Sequence, residues 1–359
     1  MLLFDEASAR AALDTAKQGR AAAERSALIR KLLEHVIASG PRRELARPGR
    51  AFNIKLDRLE EQFPNARDLT SHLRCHEALA RRSTTPATLP PLLLLGPPGV
   101  GKSVIVEALA KAWRVPIVRL QCETSTHASV LTGTEAHWSS AGTGLLFDTL
   151  VNGPAANPIV MLDELEKAPD RSDHPSIHKV LYALLEPASA RNFSDLCLPQ
   201  VKLDASHVRW LATANSLAGI PEPILSRFTV INIPALGREA AVKVARSIEL
   251  ALRREFRLGD LPILDPKVIE IVSGHSPRLM RLRLKELLGR MLVGGRTSPS
   301  DDDLKLLAPQ SRNRSDTKTT DPLVDLLGLT TLAALRALSL QAALEQAWIS
   351  TRQSSDRLH

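Results

Sequence analysis

The sequence predicts an α/β fold: a parallel sheet with helices on both faces, followed by a small all-α unit. Three observations predict it. Apolar runs of strand length alternate with helical periodicity between residues 86 and 235. Two of these runs end in acidic or amide residues, at the strand ends where parallel sheets bind ligands. Between residues 236 and 297 only helical periodicity remains.

The first strand is expected at residues 92–95, a run of leucines. It leads into Gly96-Pro97-Pro98-Gly99-Val100-Gly101-Lys102-Ser103, which fits G-x-x-x-x-G-K-[ST] at every fixed position. A helix is expected next, with Val104, Ile105, Ala108, Leu109 and Ala112 on one face. Glycines let backbone N–H groups curl around a phosphate, and the helix N-terminus adds partial positive charge. Lys102 is then placed to reach the β- and γ-phosphates, and Ser103 to ligate Mg²⁺. The bland alternative is a Gly/Pro turn before a helix. Agreement of motif and context argues against it.

A second strand is expected at residues 116–120, then a polar, irregular stretch at 121–144 and a helix at 145–151. Residues 159–162 form a buried strand that ends in Asp163-Glu164. Two carboxylates there suit a nucleotide site. Asp163 would hold Mg²⁺ through its water shell, and Glu164 would orient and deprotonate the attacking water. A charged strand exit is the alternative. A helix comes next at 176–186, then a strand at 208–211 running into Thr213-Ala214-Asn215. The Asn215 amide can bond both a γ-phosphate and a water; otherwise it is a turn-former. A brief helix at 221–226 precedes Arg227, Phe228 and a strand at 230–233. Arg227 falls near a sheet end but outside its own site, so it would serve a neighbouring subunit, or else make a surface salt bridge.

Helices are expected at 238–254, from the Asp265-Pro266 cap to Gly274, and from Ser276-Pro277 to about 291. Arg278 in the first turn of the last opposes the helix dipole, which points to an external anion. Arg281 and Arg283 are rivals on the same helix. Trp138, among Ser and Gly residues, reads from composition alone as packed.

Upstream, residues 6–39 carry a helical stripe of Ala27, Leu28, Leu32, Val36 and Ile37. Beyond it lie a basic connector at 41–49, helices at 55–62 and 65–82, and a linker at 83–91. No chemistry is evident there. Residues 298–321 read as a polar linker without fixed structure, and 325–348 as a last helix. The expected organisation is a helical N-terminal extension (1–85), a large α/β domain (86–235), a helical lid (236–297) and a polar linker with a helical tail (298–359).

The chain has 359 residues, enough for two or three domains. Its formal charge of +8 is spread out, with no aromatic-interleaved basic stripe, so nucleic acid is not the expected partner. Three isolated cysteines give neither a disulfide framework nor zinc spacing, which suits a reducing, cytoplasmic setting. Neither a signal-peptide pattern nor an apolar run of membrane-spanning length is present, so no membrane association is expected.

The glycine loop, the 162–167 run Leu-Asp-Glu-Leu-Glu-Lys, Ala212-Thr213-Ala214-Asn215 and the stretch from Ile220 to Phe228 together resemble the AAA+ ATPases. The likeness is greatest to the ATPase module of Lon proteases, through Tyr182-Ala183-Leu184-Leu185-Glu186-Pro187 and Asn192-Phe193-Ser194-Asp195. It covers roughly residues 91–293. It implies a P-loop NTPase (AAA+) domain with an all-α lid, hydrolysing ATP with Mg²⁺ in a hexameric ring that remodels or threads protein substrates. Lys102 and Ser103, with the loop from Gly96 to Gly101 (Pro97, Pro98, Gly99, Val100), match Walker A. Asp163 and Glu164 match Walker B, Asn215 sensor 1, Arg227 the arginine finger and Arg278 sensor 2. Trp138 takes the aromatic pore-loop position, which turns its reading from packing to substrate contact. Ser139 replaces the hydrophobic neighbour. Residues 192–195 would belong to a second pore loop. Lon continues into a peptidase domain, whereas little more than sixty residues follow Gly295 here, so no intrinsic peptidase is expected. The alternatives are a slow nucleotide-dependent switch that recruits a protein partner, and a nucleic-acid motor.

Overall fold

The computed structural model describes residues 1–18, 23–83, 89–125, 127–136, 141–169 and 176–307. The helix expected at 325–348 lies outside the described residues. The main sheet holds β1 (Leu92–Leu95), β2 (Ile117–Gln121), β3 (Ile159–Asp163), β6 (Arg209–Ala214) and β7 (Thr229–Asn232). Between β3 and β6 in sequence, β4 (Phe193–Ser194) and β5 (Lys202–Leu203) form a separate antiparallel hairpin. The main sheet has the order β2-β3-β6-β1-β7, and every neighbouring pair is parallel.

Strand pleating sends successive side chains to opposite faces. Leu92, Leu94, Ile159, Met161 and Leu211 enter one apolar cluster; Leu93, Val160, Leu162, Trp210 and Ala212 enter another. An unbroken apolar run is therefore what a central strand buried on both faces requires.

The N-terminal helices, expected as an extension, pack into both of these clusters. Helices Glu6–Gln18 and Ala23–Ser39 place Ala9, Leu13, Leu33 and Val36 against Phe147 and Leu150 on one face. Helices Phe52–Gln62 and Arg67–Ala80 place Leu56, Leu59, Leu69 and Leu73 on the other. The connector between the pairs runs past the beginnings of the strands. There Asn157 exchanges two hydrogen bonds with the Ala46 backbone, at 3.0 and 2.9 Å.

The helix after the glycine loop spans Lys102–Trp113, but its buried face is Ile105, Val106, Leu109, Ala110, Ala112 and Trp113. Val104, expected on that face, is 50% exposed, because the first turn sits over the cleft above the sheet. Helix Ser129–Thr132 forms inside the stretch expected to be irregular.

Helices Arg238–Glu255, Pro266–Ser273 and Pro277–Val293 bury a third cluster that includes Leu252, Ile269, Leu284 and Met291. Asp265 caps its helix by accepting from Lys267 N at 2.8 Å. Ser276 makes no such side-chain cap bond. The polar segment expected as an unstructured linker instead folds from Ser300. Helix Asp301–Leu307 closes the third cluster with Leu307. Ser300 and Asp303 form a capping pair, with Ser300 N and Oγ donating to Asp303 Oδ2 at 2.9 and 2.8 Å. Among the described residues no helix is long and apolar enough to cross a membrane, and Cys75, Cys122 and Cys197 are free thiols.

Phe4 is 3% exposed in the first cluster although it stands at the chain start. Phe4→Ala is expected to destabilise the fold by about 3–5 kcal/mol, the usual cost of truncating a buried aromatic. Urea unfolding of the variant against wild type checks this; a change under about 1 kcal/mol would make the N-terminal segment a loose appendage.

Candidate nucleotide-binding site

The strands β1, β3 and β6 end side by side, and their exits build one cleft beneath the helical lid. A cavity of about 590 Å³ is lined by Lys102, Ser103, Asp163, Glu164, Asn215 and Arg278, among others. Six residues singled out from sequence thus converge on it. So does the glycine loop from Pro98 to Gly101.

The loop turns through Gly101 at φ +101°, a conformation that side-chain-bearing residues rarely adopt. Lys102 Nζ folds back, donating to Gly96 O at 2.7 Å, Pro97 O at 3.0 Å and Asn215 Oδ1 at 2.9 Å. All three ammonium protons can be used in this way. Burial pushes the Lys102 pKa down, opposed by the nearby Glu166, Asp163 and Glu164 carboxylates. An incoming phosphate would exchange neutral carbonyl acceptors for charged oxygens, which bind the ammonium more strongly.

Asp163 Oδ1 accepts from Ser103 Oγ at 2.9 Å and Thr213 Oγ1 at 2.6 Å. Thr213 Oγ1 in turn accepts from Glu164 N at 3.0 Å. The side chain from β6 therefore locks the carboxylate at the end of β3. The oxygen donors of Ser103 and Asp163 suit a hard cation such as Mg²⁺, which takes only one or two protein ligands and fills its shell with phosphate and water. Among the described residues no cluster of three or more His, Cys, Asp or Glu ligands occurs.

Glu164 sits in the left-handed region at φ +54°. Its Oε2 lies 2.9 Å from Lys167 Nζ, and the Lys167 contact holds its carboxyl below the usual carboxylate range. Asn215 is oriented by Glu166, whose Oε1 accepts from both the Asn215 N and Nδ2 at 2.9 Å. In the sequence Glu166 stands out only as part of a motif. Its role in aiming Asn215 depends on a contact between two strands' loops, which no local pattern reveals.

The lid separates the three arginine candidates. Arg278 lines the cavity and, among the described residues, makes no ion pair or side-chain hydrogen bond. Arg281 also lines it but is paired with Glu255. Arg283 is held by Glu286 at 3.5 Å and does not line it. Arg227 is absent from the lining as well. Its guanidinium donates to Pro223 O and stands 5.6 Å over the Tyr182 ring.

Sequence reading misses one wall entirely. Gln62, Phe63 and Asn65, from the N-terminal part where no chemistry is expected, line the cavity. Asn65 Nδ2 donates to Pro234 O at 3.0 Å and Val100 O at 3.4 Å, tying the glycine loop to the segment entering the lid. The available signal is Phe63-Pro64-Asn65, an aromatic at a helix break.

Trp138 lies outside the described residues, but the base of its loop is defined. Thr134 N donates to Gly142 O, and Gly142 N to Thr134 Oγ1, both at 3.0 Å. Below that, Gly133 and Gly144 cross so closely that a Cβ on Gly144 would lie 2.4 Å from Gly133 N. Asp195, after β4, is wholly buried at the crossing and accepts from Gly144 N and Cys197 N at 2.8 Å. The hairpin and the loop base are thus clasped by one carboxylate. Asn192 lies at the start of this hairpin, beside Phe193 and Ser194 in β4.

Three comparisons show what the chain is similar to. Residues 92–234 match the model of the ATPase family associated with various cellular activities (AAA). The Lon protease of Bacillus thuringiensis (strain Al Hakam) is 31% identical over 208 residues, 56% of this chain and 26% of that protein. A peroxisomal Lon protease homolog 2 of Oryza sativa subsp. indica is 34% identical over 175 residues, 48% of this chain and 19% of the relative. The chain thus spans about a quarter or less of these relatives' length. Among solved structures, the S. cerevisiae Hsp104:casein complex in its extended conformation gives a TM-score of 0.57 at 15% identity, covering 70% of this chain and 50% of that one. The closed state of Hsp104 with ATPγS and FITC casein gives 0.54 at 16% identity, covering 69% and 49%. These likenesses confirm the α/β AAA+ fold expected from the sequence.

Burial raises the Asp195 pKa to about 6, with Asp148 adding to the rise and the Gly144 and Cys197 N–H groups opposing it. A carboxyl whose folded pKa lies above its unfolded value binds extra protons when folded, so its contribution to stability falls as pH rises through that interval. Going from pH 5 to pH 7, wild type should lose about 1 kcal/mol of stability that Asp195→Asn does not lose. Urea unfolding of both proteins at the two pH values reads this directly, and parallel pH dependences would contradict it.

Proposed function

We propose that this AAA domain, related in sequence to Lon proteases, binds ATP with Mg²⁺, hydrolyses it, and uses the cycle to remodel or thread protein substrates within a homo-oligomeric, hexameric ring. The observation that carries the reading is the convergence of Lys102, Ser103, Asp163, Glu164, Asn215 and Arg278 on one cavity between sheet and lid.

In this reading Lys102 releases its carbonyl partners and takes the β- and γ-phosphate oxygens. Ser103 and Asp163 hold Mg²⁺, which supplies charge neutralisation for the transferring phosphoryl group when bound. Glu164 leaves Lys167 and accepts the proton of the attacking water. Asn215, aimed by Glu166, orients that water. Arg278 brings the lid onto the nucleotide, so binding and lid position are coupled. Arg227 reaches the site of an adjacent copy, consistent with its place off the cavity of its own chain. The loop bearing Trp138 contacts the polypeptide, and the Asp195 clasp transmits hairpin movement to its base. The free cysteines suit a reducing compartment such as the cytoplasm.

A second reading draws support from the Glu164–Lys167 pair at 2.9 Å. If that pair persists with ATP bound, hydrolysis is slow and the protein is a nucleotide-dependent switch recruiting a protein partner. Steady-state turnover across protein concentrations, with and without an unfolded polypeptide, separates the two. The remodeller shows turnover per subunit that rises with concentration and with polypeptide; the switch shows neither.

Two substitutions test the chemistry. Lys102→Ala should weaken ATP binding by about a hundredfold or more, by loss of a charge-assisted contact in a partly buried site. Glu164→Gln should keep ATP binding while cutting turnover about 10²–10⁴-fold, the range of a general base. Normal turnover in the Gln variant would sink the assignment.

A further inference from the structure

The opposite end of the sheet, where the strands begin, holds a second cavity of about 330 Å³. Arg209 opens β6, Trp113 ends the helix after the glycine loop, and the 45–50 connector and the end of helix Arg67–Ala80 close the sides. The cavity shares no lining residue with the nucleotide site.

Its charge is one-sided. Four arginines, Arg47, Arg50, Arg81 and Arg209, face it, against a single carboxylate, Glu77. Arg81 Nε already takes that carboxylate at 2.8 Å. Arg209 is 8% exposed and donates to Asn157 O and Ala46 O, both at 3.1 Å, with its guanidinium 5.0 Å over the Trp113 ring. Among the described residues no carboxylate is bonded to it. Burial lowers its pKa to about 10, so it stays charged at neutral pH.

Part of this excess has an ordinary cause. Helix Arg67–Ala80 ends here, and the negative end of its dipole favours a cation such as Arg81, which follows it. Arg209 also staples the connector to the sheet. Arg47 and Arg50 have neither explanation. They sit on the connector and, among the described residues, make no ion pair or side-chain hydrogen bond. Two exposed, unpaired guanidinium groups beside a buried third, with the one nearby carboxylate, Glu77, already taken by Arg81, leave this concave surface with an excess of positive charge that an anion would balance.

We propose that this cavity is a binding site for a small phosphate-bearing ligand, gripped by Arg47 and Arg50 with Arg81 and Arg209 behind them. The planar guanidinium fork matches phosphate oxygens two at a time, which favours phosphate over a spherical anion. The volume is at the lower end for ligand pockets and fits a compact group rather than a polymer. The ligand is free orthophosphate or a monoester on one hand, or a diphosphate-bearing molecule on the other. The assignment does not depend on how the nucleotide site is read.

The test uses the full chain carrying Lys102→Ala, so that binding at the glycine loop is weakened equally throughout. Orthophosphate, pyrophosphate and sodium chloride of matched ionic strength are titrated, with thermal melting and calorimetry as readouts. A phosphate-specific rise in melting temperature is expected, with a Kd weakened at least tenfold by adding Arg47→Glu and Arg50→Glu. The unliganded melting temperature should not fall, because among the described residues neither side chain has a partner to lose. If it does fall, Arg47→Gln with Arg50→Gln gives the same comparison without charge reversal. Tighter pyrophosphate binding assigns the diphosphate class; the opposite order assigns orthophosphate or a monoester. No rise beyond that given by chloride, or an unchanged Kd in the charge variants, would overturn the proposal.

Discussion

The strand Leu92–Leu95 is hydrogen-bonded to a neighbour on each side and buried on both faces, and that confinement positions the nucleotide site. A strand so held cannot shift register without exposing leucines on one face or the other. Its end is therefore a fixed point, and the glycine loop leaves the sheet from a position set by β6 and β7. Gly96 N bonds Ala214 O at 3.2 Å, and Ile233 N bonds Leu95 O at 2.7 Å. The same two neighbours carry Asn215 to the cavity and lead the chain through Pro234 into the lid. Thr213 then fixes Asp163 across the β3–β6 pairing. The precision of the site is inherited from sheet packing, not from contacts among the polar groups alone.

Those polar groups nevertheless bind one another. Lys102 is satisfied by two carbonyls and an amide, Asp163 by two hydroxyls, Glu164 by Lys167, and Asn215 by Glu166. Such mutual satisfaction keeps a partly buried charged cleft stable without a ligand, since an unpaired buried charge is strongly destabilising. It also means that a ligand acts by exchange. Each new contact to phosphate or metal displaces an existing one, so only interactions stronger than those displaced add affinity. Arg278 is the exception, with no partner among the described residues to give up, and it resides on the lid. A contact from it therefore favours closure without breaking one elsewhere.

How much of this is legible in the sequence depends on range. Strands buried on both faces are uniformly apolar, and the glycine loop is a contiguous template, so β1, β3, β6 and the Lys102–Ser103 pair are readable directly. Asp163, Glu164 and Asn215 are readable because they terminate such strands. Val104 is misplaced because helical periodicity says which residues share a face, not which turn meets a cleft. Gln62, Phe63 and Asn65 escape notice, since a wall contributed from nearly forty residues upstream leaves no local pattern. The choice among Arg278, Arg281 and Arg283 turns on partners from other segments, Glu255 above all. The Ser300–Asp303 cap is legible in principle, as Ser-x-x-Asp before an acidic first turn, but the polar composition around it obscures the signal.

Arg227 shows how far rigidity can be read as purpose. A free arginine side chain loses rotamer entropy when it is fixed, which weakens any contact it makes. Here Pro223 O and the Tyr182 ring have already fixed it, and its Nε is buried without a partner. An ordinary surface arginine gains little from such an arrangement, and a buried N–H without an acceptor is destabilising. An anion from outside the chain that met this guanidinium would pay less ordering entropy, because the side chain is fixed before the encounter. Tyr182 belongs to the helix Ile177–Leu184 and Arg227 follows the turn Glu222–Leu225, so the two elements that position the arginine pack together within the domain. A group fixed on the domain surface and outside its own cavity is compatible with the proposed sharing of a site between copies. The proposal of a shared site draws on this internal packing as well as on sequence likeness.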